Sequence, residues 1–118
     1  MKVDVSLIGD GFKVSELKNY LDKVPKFKYK LELIQEFGEI RTKGPHKNKK
    51  SKFGFCWING ITLNQLKRIG PIFKTYKVDN IAINVHQKNI KNQTCLIIDS
   101  DLINTASNIG ACIEIINF

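Results

Sequence analysis

Histidine and cysteine are scarce in this chain, and their scarcity removes whole classes of chemistry. Only two histidines occur, His46 and His86, forty positions apart, and there is no C-x-x-C pair. Tetrahedral zinc sites draw on Cys and His a few residues apart, so no metal centre and no cofactor are expected. The cysteines Cys56, Cys95 and Cys112 are odd in number, widely spaced and each set in an apolar run. That argues against a disulfide framework and predicts buried, reduced thiols. None of the three lies in a local pattern that accompanies a nucleophile. No catalytic residue is assigned, and the protein is expected not to be an enzyme.

Long apolar runs are missing as well. No window approaches the ~18 consecutive apolar residues of a membrane span. Asp4 interrupts the beginning where a secretory leader would continue its apolar core, so a cytoplasmic protein with no membrane contact is expected. Three prolines and eight glycines, beside 42% hydrophobic and 25% charged residues, exclude collagen-like, low-complexity and disordered chains. A length of 118 residues fits a single domain over 1–118.

Acidic residues are absent from one region only. Residues 40–78 hold ten basic residues and no acidic one, whereas 1–39 balance at seven of each and 79–118 hold two basic and four acidic. The net charge of +8 therefore comes entirely from the middle third. Arg41, Lys43, Lys47, Lys49, Lys50 and Lys52 crowd around Gly44-Pro45, the composition of a solvated basic loop at about 39–52. Two readings stand: a surface loop kept polar for solubility, or an electrostatic contact for RNA, DNA or an acidic protein.

What is present is a regular alternation of strand and helix patterns. Val3, Val5 and Leu7 alternate with Asp4 and Ser6, predicting a strand over 2–8. Val14, Leu17, Tyr20, Leu21 and Val24 fall on one helix face, predicting a helix over about 13–23 that stops at Pro25. Phe27, Tyr29, Leu31 and Leu33 then alternate with Lys26, Lys28, Lys30 and Glu32, so one strand face is buried and the other is a lysine ladder. After the basic loop, Phe53 to Ile58 predicts an aromatic strand ended by Asn59-Gly60.

Thr62 and Gln65 form a capping box for a helix over 63–69, with Gly70-Pro71 as its stop and a possible resumption near Phe73. Ile81, Ile83 and Val85 predict a strand, and Thr94 to Ile98 another that pairs with it. Ser100 is the expected N-cap of a helix over 101–109 closed by Gly110, and a last strand runs over 111–118. This order predicts an α+β domain: a largely antiparallel mixed sheet with about three helices on one face.

Three local features invite a chemical reading. Gly9-Asp10-Gly11, between strand and helix, resembles a phosphate-binding turn, but the third glycine is missing and Asp10 would repel phosphate. A turn with Asp10 as helix cap is the expectation. His86 follows the polar face of its strand beside Asn84 and is expected at the surface. Lys52-Phe53-Gly54-Phe55-Cys56-Trp57 looks like part of the aromatic strand of RNA-recognition motifs. Lys52 stands where the motif's first glycine would be, Ile58 replaces its last aromatic, and the companion strand offers Asp4 and Ser6 where a stacking aromatic is needed. The alternative is that Phe53, Phe55 and Trp57 fill a core.

Taken end to end, the chain resembles the uncharacterised bacterial family catalogued as domain of unknown function 4279. The likeness rests on Val3-Asp4-Val5 with Gly9-Asp10, Trp57-Ile58 in the middle, and the closing run Thr94-Cys95-Leu96-Ile97-Ile98, Asp101-Leu102-Ile103, Asn108-Ile109-Gly110-Ala111 and Ile113-Glu114-Ile115. The lysine-rich middle departs from the family's usual form. The resemblance implies no catalytic residues and points to small intracellular proteins of gene clusters, some of the kind that hold toxin–immunity pairs.

The expectation is an immunity-type protein that neutralises a cognate bacterial toxin by direct binding. Its contact residues would be Lys26, Lys28, Lys30, Arg41, Lys43, Lys47, Lys49, Lys50 and Lys52, and the toxin would carry an acidic surface. The alternative is an RNA- or DNA-binding module using the basic loop and the aromatic strand.

Overall fold

The computed structural model describes residues 2–40, 44–45, 47–87 and 99–117. Among these, five strands form one mixed sheet in the order β2-β3-β1-β4-β5. The strands are β1 (Lys2–Asp10), β2 (Lys30–Gln35), β3 (Phe53–Thr62), β4 (Asn80–Gln87) and β5 (Cys112–Asn117). They are joined by α1 (Val14–Asp22), α2 (Leu63–Ile69), which runs on into a 3-10 helix over Gly70–Tyr76, and α3 (Ser100–Ile109). β1 pairs antiparallel with both β3 and β4, β2 antiparallel with β3, and β5 parallel with β4. The α+β class, the three helices and the mainly antiparallel sheet agree with the sequence patterns.

All three helices lie against one face. Val3, Val5 and Leu7 of β1, Cys56, Ile58 and Ile61 of β3, and Ile81 and Ile83 of β4 meet Leu17, Leu21, Leu66, Ile69, Phe73, Leu102 and Ile109 in a single buried cluster. Period 2 on the strands and 3.6 on the helices bring these apolar stripes together.

The strand β3 extends beyond the expected stop at Asn59-Gly60. Val3 pairs with Ile61 and Val5 with Ile58, so β3 carries one extra residue between these pairs. Gly60 takes φ 57° and donates its N–H to Asp4 Oδ1 at 2.8 Å. This is a bulge with glycine in the left-handed region. It resets the alternation so that Ile58 and Ile61, three apart, both face the core.

A second bulge lies in β2 between Glu32 and Gln35, where Leu33 takes φ 50°. Leu33, expected on the buried face, is 71% exposed. The lysine ladder is shorter than its alternation suggests, because Lys26 and Lys28 precede β2 and Lys26 has φ 56°.

Caps and stops follow the sequence in part. The Thr62–Gln65 capping box forms with both bonds present, and Gly110 closes α3 in the left-handed conformation. α2 ends at Ile69, as Gly70-Pro71 predicts, and the path runs on as a 3-10 helix whose first turn accepts the proline. The N-cap of α3 is Asp99, whose carboxylate accepts from the Asp101 N–H at 2.7 Å, and not Ser100, which opens the helix itself. The strand expected over Thr94–Ile98 and its pairing lie outside the described residues.

Candidate partner-binding surface

The basic loop is braced at its base. Ile40 and Lys50 form an antiparallel bridge. Beside it the Ser51 N–H donates to the Glu39 carbonyl and the Gly38 N–H to the Ser51 carbonyl, each at 2.9 Å. The buried Ser51 hydroxyl donates to the Phe53 carbonyl at 2.7 Å. Glu36 fastens this base to α1, where its carboxylate accepts from the Val14 N–H at 2.6 Å and the Ser15 N–H at 2.8 Å.

A remote glutamate therefore caps α1, and Asp10 does not. The N-cap residue Lys13 offers no side-chain bond, and the Asp10 N–H is held by the Asp79 carboxylate at 2.8 Å. The phosphate-like turn is thus already satisfied by a carboxylate of the same chain, the favourable charge for a helix N-terminus.

Of the nine lysines and arginines expected at a partner surface, Arg41 and Lys43 lie outside the described residues. Lys47, Lys49, Lys50 and Lys52 are exposed on the returning arm of the hairpin that leads into β3, and Lys26, Lys28 and Lys30 are exposed at the entry to β2. The two groups do not meet. Lys30 pairs with Asn59, near the far end of β3, whereas Lys52 directly precedes its start. At ~3.3 Å per residue that separation along the strand is roughly 23 Å.

The outgoing arm of the same hairpin carries what the sequence reading missed. Leu33 (71%), Ile34 (51%), Phe37 (38%) and Ile40 (57%) are the large apolar side chains left open to solvent there. Ile40 pairs directly with Lys50 of the returning arm, whereas Leu33 and Ile34 lie further along, opposite the Phe55–Trp57 stretch of β3. An apolar centre with a charged margin is the composition of a recognition surface. The adjacent pair Leu33-Ile34, which breaks the alternation, was the available signal.

The aromatic strand has the opposite orientation from a core-filling one. Gly54, Cys56 and Ile58 of β3 face the helices and are buried, while Phe53, Phe55 and Trp57 are half-buried on the other side, which carries no helix among the described residues. Carboxylates surround them. Trp57 pairs across with Ser6 on one side and Glu32 on the other, and Phe53 with Asp10. Hydrogen bonding to Asn59, then to Lys30, holds the Glu32 carboxyl below the usual carboxylate range, so it stays charged at neutral pH.

Among the described residues no set of three His, Cys, Asp or Glu could hold a metal ion. His86 is partly exposed and paired with Asp4, while its neighbour Asn84 is buried rather than superficial. Cys56 is fully buried, and burial, then the Glu36 charge, push its thiol up to about 12. Cys112 is exposed, which corrects the expectation of a core thiol. It lies beside Ala82 on the helix-free face of β5. Cys95 lies outside the described residues. In a Cys95→Ser background, a thiol reagent at pH 8 is expected to titrate one cysteine within seconds. The second should react more than about 1000-fold more slowly until denaturant is added, because a group titrating near 12 is about one part in ten thousand thiolate.

No described helix is long and apolar enough to cross a membrane. No protein-family model, no curated protein and no solved structure matches the chain.

Proposed function

We propose that this is a non-catalytic, cytoplasmic binding protein of the immunity type, which neutralises a bacterial toxin by covering a site on it. The observation that carries the reading is the braced hairpin, in which exposed Ile40 bridges Lys50, with Phe37 close by and Lys47, Lys49 and Lys52 exposed on the same returning arm, while exposed Leu33 and Ile34 continue the apolar row along β2. Burying the apolar residues supplies affinity, and the lysines steer an acidic partner into register. The likeness to family 4279 supports the immunity form. Inhibitors of nucleases commonly imitate nucleic acid with acidic surfaces, so a chain of net charge +8 suits a target with an acidic patch instead.

A second reading, nucleic-acid binding, draws on the half-buried Phe53, Phe55 and Trp57. Glu32 and Asp10 flank those rings with negative charge that repels phosphate, so it ranks below the first.

Tagged protein is to be incubated with lysate of the source cells, with and without nuclease, alongside a Phe37→Glu/Ile40→Glu variant. One protein is expected to be retained by the wild type under both treatments and lost at least 10-fold in the variant. Replacing Lys47, Lys49, Lys50 and Lys52 by glutamine should slow its association and flatten its salt dependence. Retention of RNA or DNA that vanishes with nuclease would overturn the proposal in favour of the second reading.

A further inference from the structure

One edge of the sheet is open in a way that selects for a particular kind of chain segment. β2 is the outermost strand on its side, and among the described residues it pairs with β3 alone. Its outward backbone N–H and C=O groups are thus available for another strand. Proteins usually guard such an edge with a charge or a bulge, and β2 has both, Lys30 at its start and the bulge at Leu33. Lys30 to Glu32 nevertheless remain in regular extended pairing.

Beside this edge runs a groove of about 500 Å³ between β2 and α1. Its apolar floor is Phe27, Leu31 and Ile34, and lysines 18, 28 and 30 stand around it. Phe27 stacks on Tyr29 with ring centroids 5.5 Å apart, which fixes the floor.

The charges around the groove are mostly settled, and the balance is positive. The Tyr29 hydroxyl donates to the Asp22 carboxylate, and Lys18 bridges the same carboxylate at 3.1 Å. These bonds, the Tyr29 one first, hold Asp22 below its ordinary range. Asp22 is therefore charged and internally neutralised by Lys18. Lys30 is paired with Glu32 at 3.0 Å, whereas Lys28 forms no ion pair among the described residues.

We infer that this edge and groove receive an extended, acidic segment of the partner protein, which adds to the sheet as a sixth strand alongside β2. Main-chain bonds to β2 supply affinity, alternate apolar side chains enter the groove over Phe27, Leu31 and Ile34, and acidic residues at the ends of the segment meet Lys18 and Lys28 at the rim of the groove. The inference rests on the binding-protein reading above and names the chemistry of the segment recognised. Its lysines 28 and 30 lie at the end of β2 remote from Lys47–Lys52, and Ile34 joins the groove to the apolar row of the hairpin, so the partner would be held along the length of β2.

The test uses the full chain and an immobilised set of nine-residue peptides with Val, Ile, Leu, Phe or Tyr at alternate central positions and aspartate or glutamate at both ends. Matching peptides carry lysine in place of the acids. Acidic members are expected to bind at micromolar concentration, with amide shifts confined to residues 28–35 and α1. Lys18→Glu/Lys28→Glu should weaken them at least 10-fold, and N-methylation of alternate peptide amides should weaken one register and spare the other. Ile34→Ala, a milder change, should lower affinity without altering the thermal midpoint by more than a few degrees.

The inference is overturned by no binding at 1 mM, by lysine peptides binding equally, by shifts that map to the 47–52 arm, or by self-association of the chain through β2. Each of those results leaves a partner held at the hairpin alone intact, whereas failure of the Phe37→Glu/Ile40→Glu variant to lose its partner strikes the hairpin surface and is read independently of the peptides.

Discussion

Gly54→Ala and Gly9→Ala are each expected to destabilise the protein by about 3 kcal/mol or more, at or beyond the upper end of ordinary overpacking. The two glycines are partners across β1 and β3, and both are on the helix-packed face. A methyl at Gly54 would collide with the Phe12 carbonyl oxygen and stand 2.8 Å from the Phe12 carbonyl carbon; one at Gly9 would collide with the Lys77 carbonyl oxygen in the same way. Backbone, not a flexible side-chain end, occupies both places, so neither neighbour can rotate aside. Gly38→Ala is the control. It has nothing within 4 Å of the added atom and φ 82°, so it should cost only the ~1–2 kcal/mol of a left-handed alanine. Urea unfolding of the three variants, read by Trp57 fluorescence and by circular dichroism, orders them. Equal midpoints for Gly38→Ala and Gly54→Ala would show that the crossing at Gly54 yields easily.

Phe73→Ala should be nearly as damaging by the opposite mechanism. Phe73 is fully buried in the 3-10 helix, where the chain turns from α2 toward β4, and its ring fills space between elements distant in sequence. Removing a buried phenyl costs about 3–5 kcal/mol, the transfer term plus the cavity left behind. Against a total of roughly 5–15 kcal/mol for a domain of ordinary stability, that is a large fraction. The expected result is a lower urea midpoint with an unchanged slope. Phe73→Leu, which refills much of the volume, should recover at least half of the loss. A variant with wild-type stability would mean that the surrounding helices collapse into the space.

Most of the fold was legible because its core-facing residues obey single periods. Val3, Val5 and Leu7 on a strand and Leu102, Ala106 and Ile109 on a helix need no tertiary information to be read. The failures sit where the backbone departs from a period. Asn59-Gly60 suits a turn as well as a bulge, and only the pairing of Val3 with Ile61 decides between them. Leu33 looks like the next member of an alternating series until a bulge turns it outward.

One misassigned cap is off by a single position, Asp99 in place of Ser100, and the other depends on a residue distant in sequence. Nothing near Val14 announces that Glu36 will close α1. The lysines of the candidate surface were visible as composition, but their division between two ends of β3 follows from register. Leu33 was read as core and Ile34, Phe37 and Ile40 were given no role, because a hydrophobic side chain in a sequence carries no mark of which way it will face.

The central place of β1 has a consequence for how the chain is made. It is the earliest of the five strands to be synthesised, yet both of its neighbours, β3 and β4, come much later. Until Phe53–Thr62 has emerged from the ribosome, Val3, Val5 and Leu7 have no strand to pair with. The neighbouring α1 and β2 cannot close the sheet in their absence. Folding must therefore wait for more than half of the chain and then join ends far apart in sequence, a route that is slow and leaves apolar surface exposed meanwhile. A nascent protein of this kind has reason to meet a chaperone before it meets its partner.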